Sequence, residues 1–346
     1  MRACAKLAPF AAAGARLLVS LMSTSRTAGQ VTGQVTGQVT GQAAASTTPE
    51  KHASEQRMAY ALLWVTPLFF VTNYLTARVC VPLIPPLTLA LLRWGLTALL
   101  AGGIAWPLLR RHWRAAAAEW RDLLLLGAIG MALCGASAYE AAKTTVAINI
   151  GLIYAASPAM IAILARFMFN EHLGRRQLAG MAACLGGVLW IIGRGEPATL
   201  MQMQFVPGDL WSLAGCVGWA VYSVLLKQRR GALPPAVKFV WLCAAGALVL
   251  LPLAAWELTR VPVQWSLQAA GYVALLVVVA SYGAYQAYDR VQRVLGAART
   301  GIIMYVGPVY AAFLAWALLG EALHGFHAVG AALVLGGVWA VSRRGK

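Results

Sequence analysis

Beginning near Met58, ten apolar runs of about 20 residues follow one another to the end of the chain, at 59–78, 86–109, 121–141, 146–167, 177–194, 208–226, 236–256, 268–288, 298–319 and 325–342. Nothing else in the sequence narrows the fold as much. A helix rises 1.5 Å per residue, so about 20 residues cross the roughly 30 Å hydrocarbon core of a bilayer. The chain is 60% hydrophobic and 11% charged, far below the roughly one quarter charged of soluble domains, and a soluble fold could not hide that much apolar surface. The expectation is an all-α polytopic membrane protein of ten transmembrane helices, with the lipid bilayer as its solvent.

The net charge of +17 would suggest nucleic acid in a soluble protein, but here the cations sit in short clusters between apolar runs and set topology instead. If the first run starts in the cytoplasm, the inner loops collect Arg110, Arg111, Arg114, Arg121, Arg175, Arg176, Lys227, Arg229, Arg230, Lys238, Arg290, Arg293, Arg299, Arg343, Arg344 and Lys346. Only Arg78, Lys143, Arg194 and Arg260 fall outside. This asymmetry predicts an even number of spans and both termini cytoplasmic; the expected location is the inner membrane of a bacterium.

Residues 1–57 differ from the rest: they are rich in Ala, Ser, Thr, Gly and Gln and contain the tandem repeat GQVTGQVTGQVTGQ from Gly29 to Gln42. Such a tract has too little apolar surface to order itself and reads as a disordered, dispensable tail, with Met58 an alternative start. Cys4, Cys80, Cys134, Cys184, Cys216 and Cys243 are scattered without a Cys-x-x-Cys pair or a His at ligand spacing, so no metal or cofactor is expected and they read as small apolar residues.

Compared with itself at an offset of 150 residues, the chain matches without a gap between 151–195 and 301–345. Gly151, Pro158, Glu171, Gly180, Gly187 and Arg194 meet Gly301, Pro308, Glu321, Gly330, Gly337 and Arg344. At an offset of 149, Pro85 and Pro86 meet Pro234 and Pro235. The expected units are therefore a first repeat at 58–195 and a second at 207–345. Each holds five spans, an odd number, so the second enters the membrane from the opposite side. Two inverted five-helix repeats are the architecture of many secondary carriers, with the binding site near the midplane between them.

The strings SPAMIAILARFMFNEHLGRRQLAGMAACLGGVLWI and VGPVYAAFLAWALLGEALHGFHAVGAALVLGGVWAV repeat one pattern: Pro, about a dozen apolar residues, Glu, then Gly and a paired Gly. They resemble the signature pair of the EamA-like family within the drug/metabolite transporter superfamily, a likeness running over about residues 58–345. The resemblance implies ten helices and export or exchange of amino acids, nucleobases or other small metabolites; it is specific for family and not for substrate.

Several residues are candidates for the substrate cavity. Pro158 and Pro308 near the middle of spans 4 and 9 each remove an amide donor and free carbonyls at matching depths, unless neighbouring helices or Ser157 take those carbonyls up. Asn73 in span 1 must be paired, either with another helix or with substrate. Arg93, a third of the way into span 2, needs a partner or a wet cavity; it could bind an anionic group, form a structural ion pair or snorkel outward. Glu140 and Lys143, at i and i+3, read first as a surface ion pair, with proton coupling through Glu140 the alternative, and Asn149 could reach the same cavity mouth. Among the aromatics, Tyr154, Trp219, Tyr222, Tyr285 and Tyr305 suit a cavity for planar or amphipathic substrates, whereas Tyr139 and Tyr288 read as interface anchors. Glu171 and Glu321 are expected to bond turn amides. Ala182-xxx-Gly186 and Ala332-xxx-Gly336 are expected to pack spans 5 and 10 against other helices, including those of a second copy in a homodimer.

The primary reading is a secondary transporter of a small metabolite. A carrier or flippase of lipid-like amphipaths would use the same fold. A membrane-embedded enzyme is disfavoured by the absence of HExxH or GxSxG, and His172, His324 and His327 lie at loops or span ends with no matching acidic cluster.

Overall fold

A computed structural model of the chain describes residues 49–169, 174–196, 198, 206–229, 231–295 and 302–342. All regular structure among them is helical. In chain order the helices are α1 (Pro49–Cys80), α2 (Pro86–Ile104), α3 (Trp106–Ala118), α4 (Trp120–Thr144), α5 (Ala147–Met168), α6 (Arg175–Ile192), α7 (Pro207–Gln228), α8 (Pro235–Leu258), α9 (Leu267–Leu295), α10 (Ile302–Leu314) and α11 (Gly325–Ser342). Seven are long and apolar enough to cross a membrane: α1 from Ser54, α2, α4, α5, α7, α8 and α9. Helices α6, α10 and α11 occupy the other three apolar runs, the last two as shorter apolar helices. Helix α1 begins ten residues before the run expected at 59, so the end of the expected tail is helical; the GQVT tract and Cys4 lie outside the described residues. The second run ends at Ile104 rather than at 109, because Pro107 opens a separate amphipathic helix, α3, which carries Arg110, Arg111 and Arg114.

The exterior of the bundle is apolar. Leu99, Phe167, Leu248 and Leu267 are exposed, as lipid-facing side chains should be. Exposed tryptophans gather at helix ends, Trp106, Trp113 and Trp120 at one side and Trp211, Trp256 and Trp265 at the other, as in the aromatic belts of membrane proteins. Contacts between helix ends sort into the same two groups. Arg78 donates to the Ala142 carbonyl (2.7 Å), and the Gln264 amide donates to Leu83 (2.9 Å). At the opposite side Glu119 accepts from the Ala232 amide (2.9 Å) and Arg229 pairs with Asp122.

The duplication is visible in the backbone. Helices α4 and α9 each widen into a π-helical stretch, Ala128–Leu133 and Leu276–Gly283, whose starts lie 148 residues apart. Helices α6 and α11 cross through glycines at repeat-equivalent positions. A Cβ on Gly337 would lie 2.4 Å from the Gly180 carbonyl, and one on Gly187 would lie 3.0 Å from that of Gly330. Gly186 and Gly336 do not make this crossing within the chain: each faces open space, one residue (a 100° turn of helix) away from it. The two central prolines also part company. Helix α5 is interrupted at Ala155–Ala156 and restarts at Ser157, so Pro158 takes an early position where its missing N–H is harmless. Pro308 lies inside α10, which runs through it, and the wide turn in that half comes later, at Ala315–Leu319.

Candidate functional site

Seven residues into α2, about 10 Å along its axis, Arg93 is buried with 5% of its surface exposed. Its Nε donates to Ser281 Oγ (2.7 Å), Nη1 to Asn73 Oδ1 (2.8 Å) and to Tyr139 OH (3.3 Å), and Nη2 to the Ala280 carbonyl (3.4 Å). Tyr139 OH also donates to Asn73 Oδ1 (3.1 Å). Every acceptor is neutral, and among the described residues no carboxylate pairs with the guanidinium. The acceptors come from α1, α4 and α9. Ala280 and Ser281 belong to the π-helical stretch of α9, where the i→i+5 pattern displaces carbonyls from the regular ladder and lets one turn to the guanidinium.

Aromatic rings enclose this centre. The guanidinium carbon lies 4.2 Å from the centroid of the Trp94 ring. Trp94 meets Tyr285 edge-on (6.2 Å between centroids), and Tyr285 touches Phe239 (4.9 Å) and Phe70 (5.9 Å). Tyr222 packs on Trp219 (5.3 Å), and its ring fills the space a side chain at Gly130 would occupy. Tyr154 packs on Tyr74 (5.6 Å) and donates to the Cys134 carbonyl (3.2 Å). Trp94 Nε1 and Ser137 Oγ are buried with no hydrogen-bond partner, two polar atoms left over at the edge of an otherwise satisfied cluster.

A second buried polar group lies near the helix ends. Asp209, Asn149 and His327 each occupy the third position of their helix, α7, α5 and α11, so three helix N-termini converge. Asp209 is fully buried. Its Oδ1 accepts from Thr145 Oγ1 (2.5 Å) and from Asn149 Nδ2 (3.1 Å), and its Oδ2 has no partner. Asn149 Oδ1 can only accept, so the 3.1 Å contact from His327 Nε2 makes that nitrogen an N–H. The other ring nitrogen, Nδ1, accepts from the His324 amide (3.0 Å). His327 is thereby held as a neutral imidazole with both nitrogens used.

The sequence candidates thus divide. Asn73 and Arg93 meet directly; Tyr285 belongs to the ring enclosure around them, and Trp219, Tyr222 and Tyr154 pack in the same core. Asn149 joins the Asp209 group. Glu140 pairs with Lys143 (3.2 Å) on a partly exposed face, as a surface ion pair. The side chain of Tyr305, like Glu171 and His172, lies outside the described residues. Tyr139 is not an interface anchor: it is wholly buried against Arg93. His327 does have an acidic neighbour, through Asn149. Glu321 bonds amides, but those of Ala147 and Ile148 at the start of α5 (2.9 and 3.2 Å) rather than of its own turn. Glu257 does the same for Leu87 and Thr88 at the start of α2 (3.2 and 2.8 Å).

The two related halves of the chain have a counterpart in a known family. The model of the EamA-like transporter family matches the chain twice, over residues 57–193 and 206–343. The chain belongs to the EamA-like transporter family. Both matches supply the Arg93 centre: Asn73, Arg93 and Tyr139 come from the first, Ala280 and Ser281 from the second. Relatives include the uncharacterized transporter YyaM of Bacillus subtilis, 27% identical over 63% of this chain and 72% of its own. The aromatic amino acid exporter YddG of Ancylobacter novellus is 24% identical over 81% of this chain and 96% of its own. A crystal structure of a protein 22% identical in sequence superposes with a TM-score of 0.55 over 83% of this chain and 97% of that one, a likeness of fold. Relatives named as transporters set this EamA-like chain among multi-pass membrane transporters rather than enzymes.

Of the residues that sequence reading passed over, Asp209 left a weak mark, an ionisable side chain in the first turn of an apolar span, where a carboxylate is also common for helix-terminal reasons. Ser281 carries no such mark; only the π-helical turn brings it to Arg93.

Proposed function

We propose that this EamA-like transporter is a secondary carrier that exports or exchanges a small metabolite bearing a carboxylate and a planar or apolar body, across the inner membrane of a bacterium. The proposed architecture is ten spans in two inverted repeats, 58–195 and 207–345, preceded by a dispensable tail, with both termini cytoplasmic. One observation carries the reading: Arg93 is enclosed between the two repeats and held by neutral acceptors alone. Burying an unpaired charge costs several kcal/mol, a cost a merely structural residue would avoid by finding a carboxylate within the protein. An arriving carboxylate would supply that partner by displacing neutral acceptors, such as the Tyr139 hydroxyl and the Ala280 carbonyl, and taking a bidentate pair in their place. Trp94, Tyr285, Phe239 and Tyr222 offer ring surface to the rest of the molecule. The relative YddG, named an aromatic amino acid exporter, agrees with that surface.

The test is uptake into proteoliposomes from a panel of amino acids, nucleobases, organic acids and cationic amphipaths, comparing the unaltered chain with Arg93→Ala. Saturable movement of carboxylate-bearing solutes, lost in the variant, is expected. Movement of cationic or lipid-like amphipaths alone, indifferent to Arg93, would replace this reading with that of an amphipath carrier.

A further inference from the structure

The Asp209 group takes no part in the hydrogen bonds of Arg93, and its four side chains, Thr145, Asn149, Asp209 and His327, are all buried. It ties Thr145 and Asn149 of the first repeat to Asp209 and His327 of the second. All four side chains lie at the helix ends that gather on one side of the bundle, where Arg78, Glu321 and the start of α5 also meet. Moving one repeat against the other on that side must part these bonds.

The cluster is also unfinished at one atom. Oδ1 of Asp209 holds two hydrogen bonds, while Oδ2, on a residue with no exposed surface, holds none. A proton can bind at Oδ2 without breaking any bond of the clasp. Loss of that proton leaves a buried carboxylate with a bare oxygen, which must draw water or a cation to itself. The partial positive charge of three converging helix N-termini lets the ionised form exist there at all.

The groups facing Asp209 offer no other resting partner. His327 is neutral and committed at both nitrogens; its neighbour His324 gives it the backbone amide and sets its own titratable ring 5.7 Å away, centroid to centroid. Arg194, at the end of α6, is exposed and acts on Asp209 only at longer range. On α4, Glu140 and Lys143 satisfy each other; Glu321 is held by the α5 amides and approached by Arg78. On α5 the next titratable side chain, Tyr154, bonds the Cys134 carbonyl, with Arg166 further along; at the far end of α4, Asp122 pairs with Arg229, just past the end of α7. Within α7 itself, Cys216 lies two turns on and is a free thiol.

We infer that Asp209 is a proton-binding site that latches the two repeats on this side. With the proton on Oδ2 the clasp to Thr145, Asn149 and His327 is closed, and without it the clasp opens to water. The inference rests on the transport reading only in that the latch would shut the route to Arg93.

Two measurements on the full chain in proteoliposomes need no substrate, so an error about the transported solute leaves both intact. The first is infrared difference spectroscopy between acid and alkaline buffer. A protonated-carboxyl band is expected that vanishes in Asp209→Asn and shifts in Asp209→Glu. The second reports opening. Ser212, buried one turn from Asp209 and bonded only to its own helix, becomes the probe Ser212→Cys, read with a membrane-impermeant maleimide and normalised to the exposed Ala328→Cys. Normalised labelling is expected to rise about tenfold from acid to alkaline pH and to stay low at all pH in the Asp209→Asn background, whose neutral amide stands in for the protonated acid. A carboxyl band that persists in both Asp209 variants would overturn the inference. So would labelling that responds to sodium at constant pH but not to pH itself, or that rises equally with Asp209 and with Asn.

Discussion

Arg93 and Asp209 are buried ionisable groups, one basic and one acidic, and no opposite charge within the described residues pairs with either, but their surroundings differ in kind. Every nitrogen of Arg93 reaches an acceptor, so the guanidinium is satisfied in hydrogen bonds and unsatisfied in charge. Asp209 is unsatisfied in both, with one oxygen bonded twice and the other bare. A guanidinium cannot shed its charge, whereas a carboxylate can. The first arrangement suits a fixed site that waits for an anion, the second a group that changes state. Glu257 and Glu321 show the alternative the protein uses for structural anions, where both oxygens accept from helix N-terminal amides.

The comparison breaks most visibly at Arg93. Arg93→Ala is expected to reduce transport of carboxylate-bearing solutes by about 100-fold or more, in line with the several kcal/mol of a charge-assisted bidentate pair. Arg93→Lys should recover little of it, because one ammonium cannot reach Ser281, Asn73 and the Ala280 carbonyl together. A lysine variant with full uptake would show that charge alone matters there, and the contrast with Asp209 would lose its basis in geometry.

On the other side, Asn149→Ala strands His327 Nε2 and takes from Asp209 Oδ1 one of its two donors, leaving Thr145. It is expected to lower stability by about 1–3 kcal/mol, seen as a reduced unfolding midpoint in detergent. Tyr139→Phe removes the neutral one of the two donors on Asn73 Oδ1, the other being Arg93, and should weaken substrate binding by about fivefold, near 1 kcal/mol, with the fold intact. Smallest of all, Glu140→Gln should change uptake and stability by no more than about 0.5 kcal/mol, since it breaks only a partly exposed i,i+3 pair. A large effect there would move proton chemistry away from Asp209.

The contrast also marks where sequence reading stops. Apolar length and spacing were enough to place the helices, because hydrocarbon thickness fixes the length of a span. The repeat told that Gly180, Gly187, Gly330 and Gly337 recur, yet small-residue spacing pointed to Gly186 and Gly336; helical phase, which a 100° step changes completely, depends on where the neighbouring helix lies. Arg93 and Asn73 were legible since a charge or amide inside an apolar run has few innocent explanations. Their meeting with Tyr139 and Ser281 was not, for it depends on a π-helical turn in α9 that leaves no mark in composition. Asp209 was hidden by its position at the end of a span, where carboxylates are common as first-turn residues and only tertiary contacts reveal burial.

The central claim, that Arg93 receives the carboxylate of a transported solute, is tested most directly by counterflow in proteoliposomes preloaded with tryptophan, comparing labelled tryptophan with labelled tryptamine, which has the same ring and no carboxylate. Saturable, Arg93-dependent accumulation of tryptophan and none of tryptamine is the expected result. Equal accumulation of both, or accumulation of tryptophan undiminished in Arg93→Ala, would contradict it.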